Sequence, residues 1–243
     1  MIKGLIFDLD GTLIDSIADI TTSANIAISK YGYDKRSEDF VRKNTGKGFR
    51  RLIKDMLPID TSDELIDEIT TCYTVEYGNH YMEQTSAYEG IHELLQLLQK
   101  DGIKIAVNSN KKNIYTENLM KKIFPNVNFV ATIGERDNIP NKPDPTTALE
   151  ITKLMNLNIN EVAYVGDSEV DMKTGHNANM ITIACLWGFR SKEVLLSNNP
   201  TIIVNKPIDI YNYVKKQEKK YEKEFRSKIT NLPRTSINNC YIQ

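Results

Sequence analysis

Leu5-Ile6-Phe7-Asp8-Leu9-Asp10-Gly11-Thr12-Leu13 is a short apolar run that ends in two carboxylates two residues apart and then turns at a glycine. A continuous apolar run is what a strand covered on both faces requires. Gly11 lets the chain turn sharply where that strand stops. The paired carboxylates have a chemical use: one can attack phosphorus, while the other protonates a leaving oxygen and later deprotonates a water. A plain acidic strand-end turn accounts for the same residues, so the rest of the chain has to decide.

Further apolar runs at 103–107, 129–133, 162–165, 181–184 and 202–204 alternate with helical patterns. That alternation predicts an α/β fold, a parallel sheet wrapped by helices. Between the first and second runs the period changes to that of a helix: Ile17, Ile20, Ala24 and Ile28; Phe49, Leu52, Ile53 and Met56; Leu65, Ile66, Ile69 and Tyr73. The expected organisation is an α/β core of residues 1–14 and 88–214, split by an all-helical insert at 15–87, with a charged tail at 215–243. An insert placed just after the first strand lies beside the carboxyl ends of the strands, where ligands bind in such sheets. In the tail, 215–228 is expected to be helical with Tyr221, Phe225 and Ile229 on one side, and 230–243, which contains Pro233, is expected to fray.

Three more clusters fall where expected strands end. Asn108-Ser109-Asn110-Lys111 offers a hydroxyl and backbone N–H groups to a phosphate oxygen. In Asn141-Lys142-Pro143-Asp144-Pro145, Asp144 and Pro145 are explained by helix capping. Lys142 is not explained that way, and a lysine there can offset a carboxylate crowded against a phosphate dianion. In Gly166-Asp167-Ser168-Glu169-Val170-Asp171, Asp167 is the best candidate ligand for Mg²⁺; Asp171, one helical turn on, can reach the metal through water or hold Lys142.

The formal net charge is −1, from 31 basic and 32 acidic residues. No chain-wide field favours nucleic acid or an anionic membrane. The balance is uneven, because residues from 215 onward carry a local +5 and leave −6 on the remainder. Cys72, Cys185 and Cys240 are odd in number and far apart, which suggests neither a disulfide framework nor a metal motif. Asp8 and Asp10 interrupt the N-terminal apolar run before a signal core could form, and no later run reaches transmembrane length, so a cytoplasmic location is expected. His80, His92 and His176 stand apart from these clusters, Trp187 reads as core support, and Tyr31, Tyr73, Tyr77 and Tyr81 read as helix packing.

In order, Asp8-Leu9-Asp10-Gly11-Thr12, Ser109, Lys142 and Gly166-Asp167 with Asp171 resemble the four motifs of the haloacid dehalogenase superfamily. The longer forms Asp10-Gly11-Thr12-Leu13-Ile14-Asp15-Ser16 and Asn110-Lys111, with a helical insert after the first motif, resemble its phosphoglycolate phosphatase-like branch. The resemblance implies a Rossmann-like core with a helical cap, a Mg²⁺ cofactor and a small phosphorylated metabolite as substrate. It implies Asp8 as nucleophile and Asp10 as acid and base, with Ser109, Asn110 and Lys142 on the phosphoryl group and Thr12 orienting the loop. The metal would be held by Asp8, Asp167 and the Asp10 backbone carbonyl, supported by Asp171. Asn179 stands where relatives commonly carry glycine, and asparagine tolerates the left-handed conformation. The leading substrate expectation is 2-phosphoglycolate, with a nucleotide or pyrophosphate next. A β-phosphoglucomutase-like phosphomutase and a non-catalytic binding protein are the remaining alternatives. In the cap, Asn44-Thr45-Gly46-Lys47-Gly48 forms a glycine-hinged loop from which Lys47, or less readily Arg50, can meet an anionic leaving group. A solvated helix face is the competing account of those two cations. Oligomeric state is not indicated.

Overall fold

The computed structural model describes the backbone of residues 1–230 and side chains through Lys223. Six strands form one parallel sheet: β1 (Gly4–Phe7), β4 (Lys104–Lys112), β5 (Thr132–Glu135), β6 (Val162–Gly166), β7 (Ile181–Cys185) and β8 (Ile202–Val204). Two short strands, β2 (Ile14–Asp15) and β3 (Ser86–Ala87), pair antiparallel beside it. The sheet order is β5-β4-β1-β6-β7-β8. From β1 the chain builds outward in one direction through β4 and β5, then crosses to the other side for β6, β7 and β8. The carboxyl end of β1 is therefore the switch point of the sheet, where the connections diverge and leave a crevice.

Burial explains why the strands read as apolar runs. Every residue of β1 and β6 is buried, because helices cover both faces. One face is closed by α5 (Ile91–Lys100), α6 (Asn113–Ile123) and α10 (Pro207–Thr230), the other by α7 (Thr146–Leu154) and α8 (Glu169–Asn177), while α9 (Lys192–Ser197) lies near the β8 edge. The spacing of Ile91, Leu94, Leu95 and Leu98 puts one side of α5 wholly in the core.

Between β2 and β3 lie α1 (Ile17–Ser29), α2 (Glu38–Asn44), α3 (Phe49–Met56) and α4 (Asp63–His80). They enclose a separate apolar cluster built on Ile20, Ala24, Ile28, Leu52, Ile53, Ile69, Tyr73 and Tyr77. The chain enters this unit at Ile14–Asp15 and leaves at Ser86–Ala87, and those two segments pair with each other. Buried Asp19 fastens the return: its carboxylate accepts the Gln84 and Thr85 N–H groups and the Thr85 hydroxyl. A carboxylate with that many donors is stable out of water.

The structure differs from the sequence reading in three places. The 129–133 run becomes regular strand only at Thr132 and continues to Glu135, although Val130 N and Ala131 O already bond to Ile105 O and Val107 N of β4. The helix after Asp144 starts at Thr146, whose N–H the Asp144 carboxylate accepts at 2.8 Å. The charged helix expected at 215–228 begins at Pro207, since Ile210 and Val214 are buried against the core one turn apart. The Phe225 and Ile229 side chains, residues 231–243 with Pro233, and Cys240 lie outside the described residues. Asn179 takes φ 56°, as its place in the turn before β7 requires.

Candidate active site

The site grows out of the end of β1. Asp8 N donates to Val165 O at 2.9 Å, so the first residue past the strand is still held by β6. The chain then folds back on itself, with Thr12, Leu13 and Ile14 N–H groups all aimed at Leu9 O. Gly11 makes that loop possible at φ 84°, and a Cβ there would lie 2.3 Å from Asp167 Oδ2. Only glycine satisfies both the conformation and the approach.

β4 supplies the second wall. Its ladder with β5 shifts register between Asn108 and Lys112, which leaves Ser109, Asn110 and Lys111 bulged out of the pairing. Such a bulge re-aims side chains at a strand end. Ser109 lines the pocket, and Asn110 is saturated with hydrogen bonds: its amide donates to Lys142 O at 3.1 Å and Gly46 O at 3.0 Å, and accepts from Lys142 N at 2.9 Å. Asn110 thus holds the Lys142 backbone on one side and the cap loop on the other.

Lys142 is the electrostatic hinge of the site. Its Nζ lies 2.7 Å from Asp8 Oδ1 and 2.8 Å from Asp171 Oδ1, with all three side chains buried. Burial works against its charge, but Asp171 and Asp8 outweigh it and hold its pKa well above the ordinary lysine value. Asp171 is fully occupied, since its second oxygen accepts from Ser168 N and Oγ. Asp167 accepts from Thr12 Oγ1 at 3.1 Å and Phe189 N at 2.7 Å.

Asp8, Asp167 and Asp171 bring ligand oxygens within 4.8 Å of one another. Lys142 pairs with two of these three buried carboxylates, Asp8 and Asp171, and its single ammonium leaves a local excess of negative charge that a protein interior tolerates poorly. Burial, and then the Asp171 charge, push Asp167 up to about 7, and the same two causes raise Asp8 well above the carboxylate range despite Lys142. The donor set suits a hard divalent cation: oxygen ligands only, with Asp8 and Asp167 not claimed by Ser168.

Asp10 lines the same pocket as Asp8. Its Oδ1 accepts from Ser16 Oγ at 2.5 Å and lies 3.0 Å from Lys111 Nζ. Lys111 is buried, donates to Tyr77 Oη at 2.5 Å and stands over the Tyr77 ring. Asp8, Asp10, Ser109, Asn110, Lys111 and Lys142 line one side of a cavity, and Ile20, Phe49, Leu52 and Tyr73 wall the other.

Of the residues singled out from sequence, the structure brings Asp8, Asp10, Ser109, Asn110, Lys142, Asp167 and Asp171 together, with Thr12 beneath them on Asp167. It does not bring Lys47 into the cavity: Lys47 Nζ lies 3.3 Å from Glu169 Oε1, outside it. Arg50 pairs with Asp63 and Asp67 on the cap surface. The sequence reading gave no role to Lys111, Ser16, Phe189 or Arg190. The contiguity of Lys111 with Ser109 and Asn110 was the available signal for the first. Trp187 does support the core loop, donating to Thr12 O at 3.0 Å. Tyr73 and Tyr77 pack as expected, and Tyr77 also touches Lys111.

A model of the haloacid dehalogenase-like hydrolase family matches residues 5–185. The chain is 31% identical over 219 residues to a phosphoglycolate phosphatase of Aquifex aeolicus, covering 85% of this chain and 93% of the relative. It is 30% identical over 205 residues to a phosphoglycolate phosphatase of Psychrobacter arcticus, covering 81% and 89%. The solved structure of a haloacid dehalogenase-like family hydrolase from Streptococcus pneumoniae superposes with a TM-score of 0.80 at 21% identity, over 88% of this chain and 98% of that one. At that identity the superposition speaks for the fold.

Proposed function

We infer that this chain, which belongs to the haloacid dehalogenase-like hydrolase family and is a phosphoric monoester hydrolase, cleaves its ester through an aspartyl phosphate formed on Asp8. The observation that carries this reading is the pairing of Asp8 with Lys142 at 2.7 Å at the sheet's switch point, with Asp10 lining the same cavity.

In the first step an Asp8 oxygen attacks phosphorus, the P–O bond to the leaving group breaks, and Asp10 gives its proton to the departing oxygen. In the second, Asp10 takes a proton from water, which attacks the phosphoryl group and returns Asp8 as a carboxylate with release of phosphate. Lys142 offsets charge as the phosphoryl oxygens crowd against Asp8, and the Ser109 hydroxyl is placed to donate to one of them. Asp8, Asp167 and the Asp10 backbone carbonyl are the residues that would hold Mg²⁺, which supplies charge neutralisation at the phosphoryl oxygens when bound. Asp171 fixes Lys142 from behind, and Thr12 orients Asp167.

The substrate we propose is a small phosphomonoester whose leaving group carries a second anion, with 2-phosphoglycolate first. Two things support it. The relatives named above are phosphoglycolate phosphatases. Lys111 adds a second buried cation to the cavity, beside the proposed acid, where a leaving-group carboxylate would meet it. The test is a kcat/KM panel with Mg²⁺ over 2-phosphoglycolate, a nucleoside monophosphate, pyrophosphate and a hexose phosphate. We expect 2-phosphoglycolate to lead and activity to vanish in EDTA and return with Mg²⁺. A lead of about tenfold or more for pyrophosphate or the nucleotide overturns the substrate, and full activity in chelator overturns the metal.

A further inference from the structure

The segment Trp187-Gly188-Phe189-Arg190, which follows β7, touches both halves of the molecule within four residues. On the core side Trp187 Nε1 donates to Thr12 O and the Phe189 backbone N–H to Asp167 Oδ2, while the Phe189 ring packs into the apolar cluster of the helical unit. Gly188 has no room for a side chain, since a Cβ would lie 2.3 Å from both Asp167 Cβ and Gly11 O. The segment is therefore pressed against the nucleophile loop and cannot shift without disturbing it.

Arg190 turns the other way. It is 8% exposed. Its Nη1 donates to Arg42 O at 2.7 Å, its Nη2 to Thr45 O at 2.6 Å and its Nε to Glu169 Oε2 at 2.9 Å. Arg42 and Thr45 lie at the end of α2, where carbonyls lack partners inside the helix and the helix dipole favours a cation. The planar guanidinium serves two such carbonyls and a carboxylate at once from donors held in a fixed fork, so less freedom is lost per bond than with a flexible ammonium. Thr45 and the next residue, Gly46, line the cavity above Asp8 and Asp10. On the same side, Arg42 stands over the Phe189 ring at 5.4 Å and Lys47 meets the other oxygen of Glu169.

We propose that Arg190 is the positioning residue that holds the 44–48 loop of the helical unit over the phosphoryl site, with Glu169 as its anchor on the core. Moving the loop away strips Arg42 O and Thr45 O of their donor and leaves a buried arginine with one partner of three. Asn110 contributes one more tie, to Gly46 O. Arg190 touches neither the proposed nucleophile nor the proposed acid, so its effect on turnover passes through the loop. This inference rests on the reading of the cavity as a phosphatase site, but its first test does not.

That test is hydrogen exchange by mass spectrometry on the full chain, comparing wild type with Arg190→Met, Arg190→Lys and Glu169→Gln. For Arg190→Met, amides in 42–49 are expected to exchange about tenfold faster or more, while β1 and β6 stay as protected as in wild type. Arg190→Lys and Glu169→Gln are expected to show smaller increases in the same segment. Should Arg190→Met fail to fold, the lysine variant alone decides. Wild-type exchange at 42–49 in a folded Arg190 variant, or an increase spread equally over the strands, overturns the proposal. The second readout is kinetic. Arg190→Met is expected to lower kcat/KM for 2-phosphoglycolate about 10- to 100-fold, and to lower it less than about fivefold for an aryl phosphate, whose leaving group needs little from the loop. Equal losses on both esters overturn the role in turnover. If wild type does not cleave 2-phosphoglycolate, the substrate reading fails, and the exchange result still decides the loop.

Discussion

The two sides of the cavity are built on different principles. On the sheet side, Asp8, Lys142, Asp171 and Asp167 form a buried lattice of charge pairs with nearly every oxygen assigned a donor. On the cap side, Ile20, Phe49, Leu52 and Tyr73 present an apolar wall, and the loop between α2 and α3 is tied down by side chains reaching out from the core. Fixed charge in a dry site suits a group that is the same in every substrate, the phosphoryl group. An apolar wall on a separately packed helical unit suits a leaving group that differs from one substrate to the next. Under the proposed reading, the difference teaches where to look for each property, with chemistry in the sheet and selection of the leaving group at the seam between sheet and cap.

The comparison breaks first at Asp8. Asp8→Asn keeps the shape and removes the nucleophile, so turnover is expected to fall by about 10⁴-fold or more with the far-ultraviolet circular dichroism unchanged. Turnover within tenfold of wild type removes Asp8 from that role. Next in size is Asp10→Asn. An ester with a poor alkoxide leaving group should lose about 10³-fold in kcat, and an aryl phosphate far less, because its oxygen leaves without a proton. A flat leaving-group series would mean that Asp10 is not the acid.

Much of this division was legible before any coordinates. Strand-end carboxylates announce themselves, because a buried apolar run has no other reason to stop at Asp8-Leu9-Asp10 or at Gly166-Asp167. Lys142 stood out for the opposite reason: capping explained its neighbours and not it. What stayed hidden were contacts between distant segments. Nothing local pairs Lys111 with Tyr77, or Arg190 with the end of α2, since each partner has its own adequate explanation as packing or as surface charge. Backbone acceptors are hidden most of all, because Arg42 O and Thr45 O belong to no residue type. The start of the last helix was hidden for a related reason. Charge rises sharply at Lys215, while the apolar spacing of Ile210 and Val214 carries the same helix back to Pro207.

The seam between the two sides is sharpened by comparing two lysines. Lys111→Met is expected to lower kcat/KM for 2-phosphoglycolate about ten- to thirtyfold and to leave a neutral aryl phosphate within about threefold, since a cation in the cavity matters only to an anionic leaving group. Lys47→Ala, outside the cavity on Glu169, is expected to change either by less than about threefold, as exposed ion pairs contribute little. A larger loss for Lys47 than for Lys111 would move recognition of the leaving group from the sheet to the cap loop.

The smallest expected effect tests the sheet side without substrate. Asp167 is pushed up to about 7, by burial first and by Asp171 second, and Asp8 is raised well above its ordinary range from the same causes. A carboxyl whose folded pKa exceeds its unfolded value holds its proton more tightly when folded. It therefore stabilises most below the unfolded value, and that stabilisation is lost as pH rises through the folded value. For Asp167 the window runs from about 4 up to about 7, and Asp8, raised from the same causes, contributes in the same direction. In EDTA the melting temperature should accordingly carry a falling component between pH 5 and pH 8. Saturating Mg²⁺ favours the charged carboxylates and removes that component, so the rise in Tm on adding Mg²⁺ should be larger at pH 8 than at pH 5, by on the order of 3–5 °C for a chain of this size. Asp167→Asn provides the control, because an amide does not titrate and the difference between the two pH values should shrink. An equal Mg²⁺-induced shift at both pH values, in wild type and variant alike, would mean that the buried carboxylates are not what the cation relieves, and the sheet side would lose its claim to the metal.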